Sequence, residues 1–89
     1  MLAAIYQKQF EKDIKKAKKR GLDITKLKHI ILKLLEEKSL PQKNRTHKLK
    51  GNFKGYWECH IEPDWLLIYK KIPNAIIFVR TGTHADLFK

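Results

Sequence analysis

Four side chains in the C-terminal part of the sequence could together carry out acid–base chemistry on a phosphate. His60, Asp64, Arg80 and His84 supply two imidazoles, a carboxyl group and a guanidinium. An imidazole can serve as acid or base near neutral pH, and a guanidinium is a permanently charged fork that matches phosphate oxygens. This set suits cleavage of RNA by attack of the ribose 2′-hydroxyl on its own phosphate. The nucleophile then belongs to the substrate, so no catalytic serine or cysteine is needed and DNA would be inert.

Two turn-forming dipeptides, Pro63-Asp64 and Pro73-Asn74, divide the region that holds these side chains. The segments on either side of them have the β-branched and aromatic composition of strands. The predicted strands are Tyr56–Ile61, Trp65–Ile72 and Ala75–Thr81. Tight turns between consecutive strands predict an antiparallel meander.

Antiparallel pairing in this meander predicts which side chains meet. His60 should face the start of the second strand, which in turn should face Arg80. We therefore expect His60, Asp64 and Arg80 at one end of the sheet. Residues 83–88 are expected to add one helical turn that brings His84 over the same end.

The N-terminal part of the chain predicts a short strand and two helices. Leu2–Tyr6 is a short apolar segment typical of a strand. In Lys8–Arg20 the apolar residues share one helical face and lysines cover the rest, and Gly21 should end this helix. Asp23 is a suitable N-cap for a second helix that should end near Lys38.

A polar, basic stretch from Pro41 to Gly55 separates the helices from the meander and is expected to be a loop with one short strand around His47 to Leu49. The fold class that follows is α+β, with two N-terminal antiparallel helices packed on a small, mainly antiparallel twisted sheet.

Composition limits the class of function. Eighty-nine residues, 1–89, are expected to form a single domain with one modest core. Lysine and arginine outnumber aspartate and glutamate 20 to 9, which gives a net charge of +11 and favours a polyanionic partner such as nucleic acid. One cysteine, Cys59, allows no internal disulfide, and the sequence shows neither a signal peptide nor a membrane span. We expect a cytoplasmic protein without a membrane partner.

Three stretches of the chain resemble a known toxin family. They are His47-Lys-Leu-Lys-Gly51, Gly55-Tyr-Trp-Glu-Cys-His60-Ile-Glu-Pro-Asp64-Trp65-Leu-Leu-Ile-Tyr69 and Arg80-Thr-Gly-Thr-His84-Ala-Asp-Leu-Phe88. Together with the helix pair they are similar to the YafQ-type mRNA interferases of the RelE superfamily. The resemblance covers almost the whole chain. It implies a microbial RNase-like fold and metal-independent cleavage of mRNA in the ribosomal A site, with no cofactor.

The resemblance also implies roles for individual residues and partners. The catalytic candidates are His47, His60, Asp64, Arg80 and His84. The substrate-binding candidates are Trp65, Phe88, Lys48, Lys50 and Lys54. The preferred order has His84 as acid, His47 or Asp64 as base and Arg80 as the cation that stabilises the transition state. The implied partners are mRNA, ribosomal RNA bound by the first helix, and a cognate antitoxin through which DNA is bound only indirectly.

Trp57 departs from the family pattern, because related sequences often carry a basic residue at this position. The phosphate contact expected there is therefore not supported by this chain. Cys59 should point away from His60 and into the core, so we do not expect it to be a nucleophile.

Several other interpretations remain open from the sequence alone. His60, Asp64, Arg80 and His84 could form a structural ion-pair cluster. His60, Asp64 and His84 could instead bind a metal, although the neighbouring charge of Arg80 opposes a cation. At the level of function, the alternatives are a ParE-like gyrase inhibitor and a non-enzymatic nucleic-acid binder kept for autoregulation with its antitoxin.

Overall fold

The computed structural model describes residues 1–88, and its helices and strands follow the predicted order. They are β1 Ala3–Tyr6, α1 Lys8–Lys19, α2 Ile24–Leu35, β2 His47–Lys48, β3 Trp57–Glu62, β4 Trp65–Ile72, β5 Ala75–Gly82 and α3 His84–Leu87. Two 3-10 turns, Gln42–Asn44 and Gly51–Phe53, lie in the basic stretch between α2 and β3. The α+β class is confirmed.

The sheet has five strands in the order β1-β5-β4-β3-β2. The predicted meander of β3, β4 and β5 is confirmed, because both of its strand pairs are antiparallel. β2 extends the sheet antiparallel to β3, and β1 lies parallel to β5 at the opposite edge. The sheet is therefore mixed, with its one parallel pair at an edge.

The two long helices end by the same geometry, but only one end has a sequence signal. Gly21 follows α1 with a positive φ of 79°, a conformation that glycine adopts without steric cost. Glu37 follows α2 with a φ of 58°, and Lys38 N donates to Lys33 O in the same type of helix-ending loop. The predicted end of the second helix near Lys38 is thus three residues too late. No glycine marks the place where the chain turns.

One face of the sheet is covered by α1 and α2 and holds the main core. Phe10, Leu27, Tyr69 and Phe78 are fully or almost fully buried there. Cys59 is also buried on this side, as predicted, and burial raises the pKa of its thiol to about 12. A thiol with such a pKa stays protonated and is not a nucleophile near neutral pH.

In residues 1–88, the buried cluster on the opposite face of the sheet is small and consists of Leu66, Ile68 and Leu87 of α3. The hydrophobic residues packed against it are partly buried, so much of this face stays open to solvent. We refer to it as the open face. Among residues 1–88, no helix is long and apolar enough to cross a membrane.

α3 is held in place by its own cap and by ion pairs to α1. Thr83 and Asp86 form a reciprocal capping box at its start. Asp86 also accepts hydrogen bonds from Arg20 at 2.6 Å and Lys16 at 3.3 Å. The Asp86 side chain packs directly against Gly82, and only glycine leaves room for it, because a Cβ at position 82 would lie 2.9 Å from an Asp86 oxygen. These contacts set the position of His84, the first residue of α3.

Candidate active site

Three side chains form a compact cluster on the open face, which we call the His-Glu cluster: His47, Glu58 and His60. Glu58 is 5% exposed, and one of its carboxylate oxygens lies 3.0 Å from His47 Nε2 and 3.3 Å from His60 Nε2. The register explains the contact, because His47 pairs directly with Glu58 and His60 follows Glu58 by two residues on the same face of β3. A buried carboxylate needs such partners, since burying an unpaired charge is costly.

Hydrogen bonds that involve the backbone also hold the His-Glu cluster in position. His47 Nδ1 lies 3.2 Å from Lys48 O, and the buried Asn44 side chain donates to His60 O at 2.6 Å. The Asn44 bond attaches the first 3-10 turn to β3. The ligand atoms of His47, Glu58 and His60 lie within 4.8 Å of one another, so these three residues could also hold a metal ion.

A second pair, Asp64 and His84, lies at the turn between β3 and β4. One oxygen of Asp64 accepts from His84 Nδ1 at 2.6 Å and from the His84 backbone N–H at 2.9 Å. These backbone and side-chain hydrogen bonds hold the pKa of the Asp64 carboxyl below its usual range. A proton on Nδ1 leaves Nε2 of His84 as the ring nitrogen available to a substrate.

His60 links the His-Glu cluster to the pair of Asp64 and His84. The ring centroids of His60 and His84 are 5.7 Å apart and their planes are inclined by 60°. The predicted convergence of His60, Asp64 and His84 is therefore present in the structure. His47, which sequence geometry alone could not place, joins them through Glu58.

Arg80 lies elsewhere than the hairpin geometry predicted. It pairs with Ile68, whereas the start of β4 faces Gly82 through Leu66. Val79 is an extra residue of β5 between the pairs Tyr69–Phe78 and Ile68–Arg80, and this β-bulge places Arg80 in the same row of the sheet as Glu58. The expectation that Arg80 faces the start of β4 was wrong.

The Arg80 guanidinium is held by a buried carboxylate that the sequence did not indicate. Asp13 of α1 is 7% exposed and accepts from Arg80 Nε at 2.8 Å and Nη2 at 3.3 Å. It also accepts from the Thr81 backbone N–H. The ion pair fixes the guanidinium at the boundary between α1 and β5, with about a quarter of the side chain exposed.

Two cationic residues that the sequence did not indicate border His60. Lys43 and Arg45 line a hollow of about 300 Å³ together with His60 and Pro63. Both belong to the first 3-10 turn and its cap, and Arg45 has a left-handed φ of 44°. A positive field beside an imidazole suits a phosphate of the substrate.

The two predicted aromatic contacts differ in accessibility. Trp65 is 2% exposed and its indole N–H donates to Thr81 Oγ1 in the main core, so it cannot stack on a substrate. Its contribution is to hold β4 and β5 in register. Phe88 is 41% exposed and packs edge-on against Phe53, so its ring remains accessible beyond α3.

The three predicted substrate-binding lysines lie apart from His60 and His84. Lys48, Lys50 and Lys54 are exposed around a separate hollow beside Trp57, at the β2 edge of the sheet. They therefore do not form one site with His60 and His84.

Glu58 is a further functional candidate that sequence reasoning missed, although a signal was present. It precedes His60 by two residues in a strand, which places both side chains on one face. A carboxylate inside a mainly buried strand also requires a partner. For Asp13 no comparable signal existed, because its partner Arg80 is 67 residues away in the sequence.

Comparisons with known proteins show the family to which this chain is related. Residues 2–89 match the profile of the family described as bacterial toxin of type II toxin–antitoxin system, YafQ. A curated relative, the mRNA interferase toxin YafQ of Escherichia coli strain K12, is 46% identical over 84 residues, which cover 93% of this chain and 91% of the relative.

Solved structures show the same fold. A chain of the Escherichia coli DinJ-YafQ complex matches with a TM-score of 0.92 and 43% identity, covering all of both chains. A metal-bound toxin from Helicobacter pylori matches with a TM-score of 0.93 and 39% identity, covering 99% of this chain and 100% of that one.

Proposed function

This chain belongs to the YafQ family of type II toxin–antitoxin toxins, and from that premise we propose that it is an endoribonuclease that cleaves mRNA in the ribosomal A site. The observation that carries the proposal is the group of His47, Glu58, His60, Asp64 and His84 on one open face. A purely structural ion-pair cluster would not need two histidines that are each about half exposed, as the side chains of His47 and His84 are.

The roles of these residues follow from their contacts. His84 is the general acid in its imidazolium form: Nδ1–H stays bonded to the Asp64 carboxylate, and Nε2–H gives its proton to the leaving 5′-oxygen. Asp64 is a positioning residue, since both of its hydrogen bonds go to His84. The base is His47 or His60, which accepts the proton of the 2′-hydroxyl, and the Glu58 carboxylate that both rings contact stabilises the resulting imidazolium.

Cations on either side of this group would bind the phosphate. Lys43 and Arg45 beside His60 hold the substrate backbone in place. Arg80 acts as the transition-state cation through the part of the guanidinium that Asp13 does not engage. Phe88 offers its exposed ring to a base.

We propose that the reaction needs no metal, because two imidazoles and a guanidinium supply every proton and charge that 2′-hydroxyl attack requires. The His-Glu cluster could still bind a metal, and a Helicobacter pylori relative is described as metal-bound. A metal there would engage the Glu58 carboxylate, which would then no longer be free to stabilise an imidazolium on His47 or His60. Cleavage that continues unchanged in a chelator would support metal independence, whereas loss of cleavage restored by added metal would contradict it.

The partners we propose follow the family and the charge. The net charge of +11 and the exposed lysines of α1 suit ribosomal RNA, and we propose that the protein acts in the cytoplasm, where it would meet that partner. A YafQ of Escherichia coli is found in a complex with DinJ. We propose that this chain likewise has a cognate antitoxin that is acidic where it covers the basic surface, and that DNA is bound only through that complex.

The test is to incubate the protein with translating ribosomes and map the new 5′ ends on the message. We expect cuts within the A-site codon, and His84→Ala should reduce the cleavage rate at least about 100-fold. His29→Ala is the matched control, because His29 is exposed on α2. Intact messages at excess protein would contradict the proposal, and inhibition of gyrase supercoiling instead would favour the ParE-like alternative.

A further inference from the structure

A half-buried indole lies beside the basic loop, outside the candidate active site. Trp57 of β3 pairs with Lys48 of β2, the edge strand. The ammonium groups of Lys48 and Lys71 lie 5.4 and 4.5 Å from the Trp57 ring centroid. Together with Lys50 and Lys54, Trp57 and Lys48 line an open hollow of about 690 Å³, which we call the Trp57 hollow.

The Trp57 hollow neighbours the His-Glu cluster along the β2–β3 ladder. The pair His47 and Glu58 belongs to the His-Glu cluster, and the next pair in the register is Lys48 and Trp57. Successive residues of a strand point to opposite faces, so Trp57 lies on the other side of the sheet from Glu58. No strand lies beyond β2 in the described part of the chain, so a ligand on the open face can pass over this edge.

We propose that the Trp57 hollow is a second binding site for single-stranded RNA. An unpaired base stacks on the Trp57 indole while the phosphates on either side of it bind the surrounding lysines. The ligand is the RNA of the function proposed above, and the inference rests on that function for its identity. RNA that leaves the histidine site over the β2 edge would then be bound a second time, close to the site of cleavage.

The typical contribution of base stacking to binding is larger than that of the lysine contacts that the Trp57 indole makes in the free protein. A cation over an exposed aromatic ring contributes about two- to fivefold to an equilibrium constant. A base stacked on an aromatic side chain contributes about 5- to 150-fold to affinity. A lysine displaced from the ring by a base is not left unpaired, because the phosphates of that same nucleotide lie within its reach.

The hollow also has the charge and the space that RNA requires. The lysines are exposed, and no carboxylate is among the residues that line it. Gly51 and Gly55 have positive φ angles of 67° and 91°, and the space beside each is open, so the loop presents backbone rather than side chains on this flank. A basic groove with an aromatic ring on which a base can stack binds single strands with little sequence preference.

The test uses an oligoribonucleotide of about ten nucleotides with 2′-O-methyl riboses, which the protein cannot cleave. Trp65 is 2% exposed, so a change in tryptophan emission on binding reports on Trp57. We expect RNA to quench the emission. By anisotropy of labelled RNA, Trp57→Ala should weaken binding about 5- to 150-fold, with Trp57→Phe intermediate.

Two further variants separate stacking from charge and from folding. Trp57→Lys adds a cation in place of the ring, so its binding should be weaker than that of the natural chain at high salt, where charge is screened. Tyr6→Leu is the matched control, because Tyr6 is 46% exposed at the opposite edge of the sheet and should leave RNA affinity unchanged. Thermal unfolding of each variant checks the fold, and Trp57→Phe preserves the test if Trp57→Ala is unfolded.

The outcomes distinguish this proposal from the enzymatic one. Unchanged RNA affinity in a folded Trp57→Ala protein would overturn it even if messages are cleaved normally. Binding that depends on Trp57 without any message cleavage would support the RNA site while the proposed catalysis fails. A loss of affinity for an acidic protein partner, with RNA affinity unaltered, would assign the hollow to protein binding and would also overturn the proposal.

Discussion

At the scale of single residues, Glu58 explains why two histidines from different strands lie together. Its buried carboxylate contacts His47 and His60, and both imidazoles would lose their shared anionic partner if it were neutral. The role proposed for either histidine as base therefore depends on this side chain.

We expect Glu58→Gln to reduce the rate of message cleavage about 100-fold with a small effect on substrate binding, because an amide cannot stabilise an imidazolium as a carboxylate does. Single-turnover cleavage on ribosomes measures it. Glu11→Gln, an exposed carboxylate of α1, is the control. Equal rates for both variants would show that the His-Glu cluster is structural.

Asp64 differs from Glu58 because it is exposed and its carboxylate accepts hydrogen bonds from His84 alone among residues 1–88. Asp64→Asn should keep the turn but lose the preferred Nδ1 proton of His84, with about a 100-fold fall in cleavage rate. Asp23→Asn is the matched control, since Asp23 caps α2 and asparagine caps equally well. If Asp64→Asn cleaves at the same rate as the natural chain, Asp64 has no role in positioning His84 for catalysis.

At the scale of elements, α1 and α3 position the proposed catalytic side chains through carboxylates that pair with distant cations. Asp13 of α1 holds Arg80 of β5, and Asp86 of α3 holds Arg20 of α1. Each ion pair joins parts of the chain that are more than 60 residues apart. The end of the sheet that carries the site is therefore assembled by helix contacts as well as by strand pairing.

Asp13→Asn should lower the free energy of unfolding by about 2 kcal/mol, because it leaves the partly buried guanidinium of Arg80 without its counter-charge. Urea denaturation measures the effect. Glu11→Gln on the same helix should change stability by less than about 0.5 kcal/mol. Similar values for the two variants would mean that the Arg80 ion pair contributes little.

Asp86 predicts how stability depends on pH. Hydrogen bonds from Arg20, the Thr83 backbone and Lys16 hold the pKa of its carboxyl below the usual range. A carboxyl whose pKa is lowered by folding contributes stability above its unfolded pKa of about 3.9, and this contribution is lost as the pH falls below that value. Asp86→Asn should therefore be less stable than the natural chain at neutral pH, and the difference should shrink in acid. A constant difference across that range would contradict the ion-pair assignment.

At the scale of the whole molecule, positive charge surrounds the site on several elements. The lysines of α1, the first 3-10 turn and the Trp57 hollow belong to separate parts of the chain. Such a field attracts RNA along its backbone without reading its sequence. Affinity should therefore be steeply dependent on salt.

Replacing Lys12, Lys15 and Lys19 with glutamine should weaken binding to ribosomes. The slope of log affinity against log salt concentration should become shallower by up to about 0.7 for each phosphate that the variant no longer neutralises. Binding isotherms at several salt concentrations give this slope. Lys28→Gln on α2 is a single-charge control for loss of charge alone. An unchanged slope in the triple variant would place the ribosome-binding surface elsewhere on the molecule.

The sequence by itself determined the order of the elements, the antiparallel meander and most of the candidate catalytic residues. These features depend on local signals: hydrophobic periodicity, turn dipeptides such as Pro73-Asn74, and the spacing of His60 and Asp64. Tertiary structure alone decided the position of Arg80, because the bulge beside it in β5 and its partner Asp13 come from contacts far apart in the chain. It also decided that Trp65 is buried while Trp57 is partly accessible, since both lie on the helix-covered face but Trp57 borders the open hollow at the β2 edge.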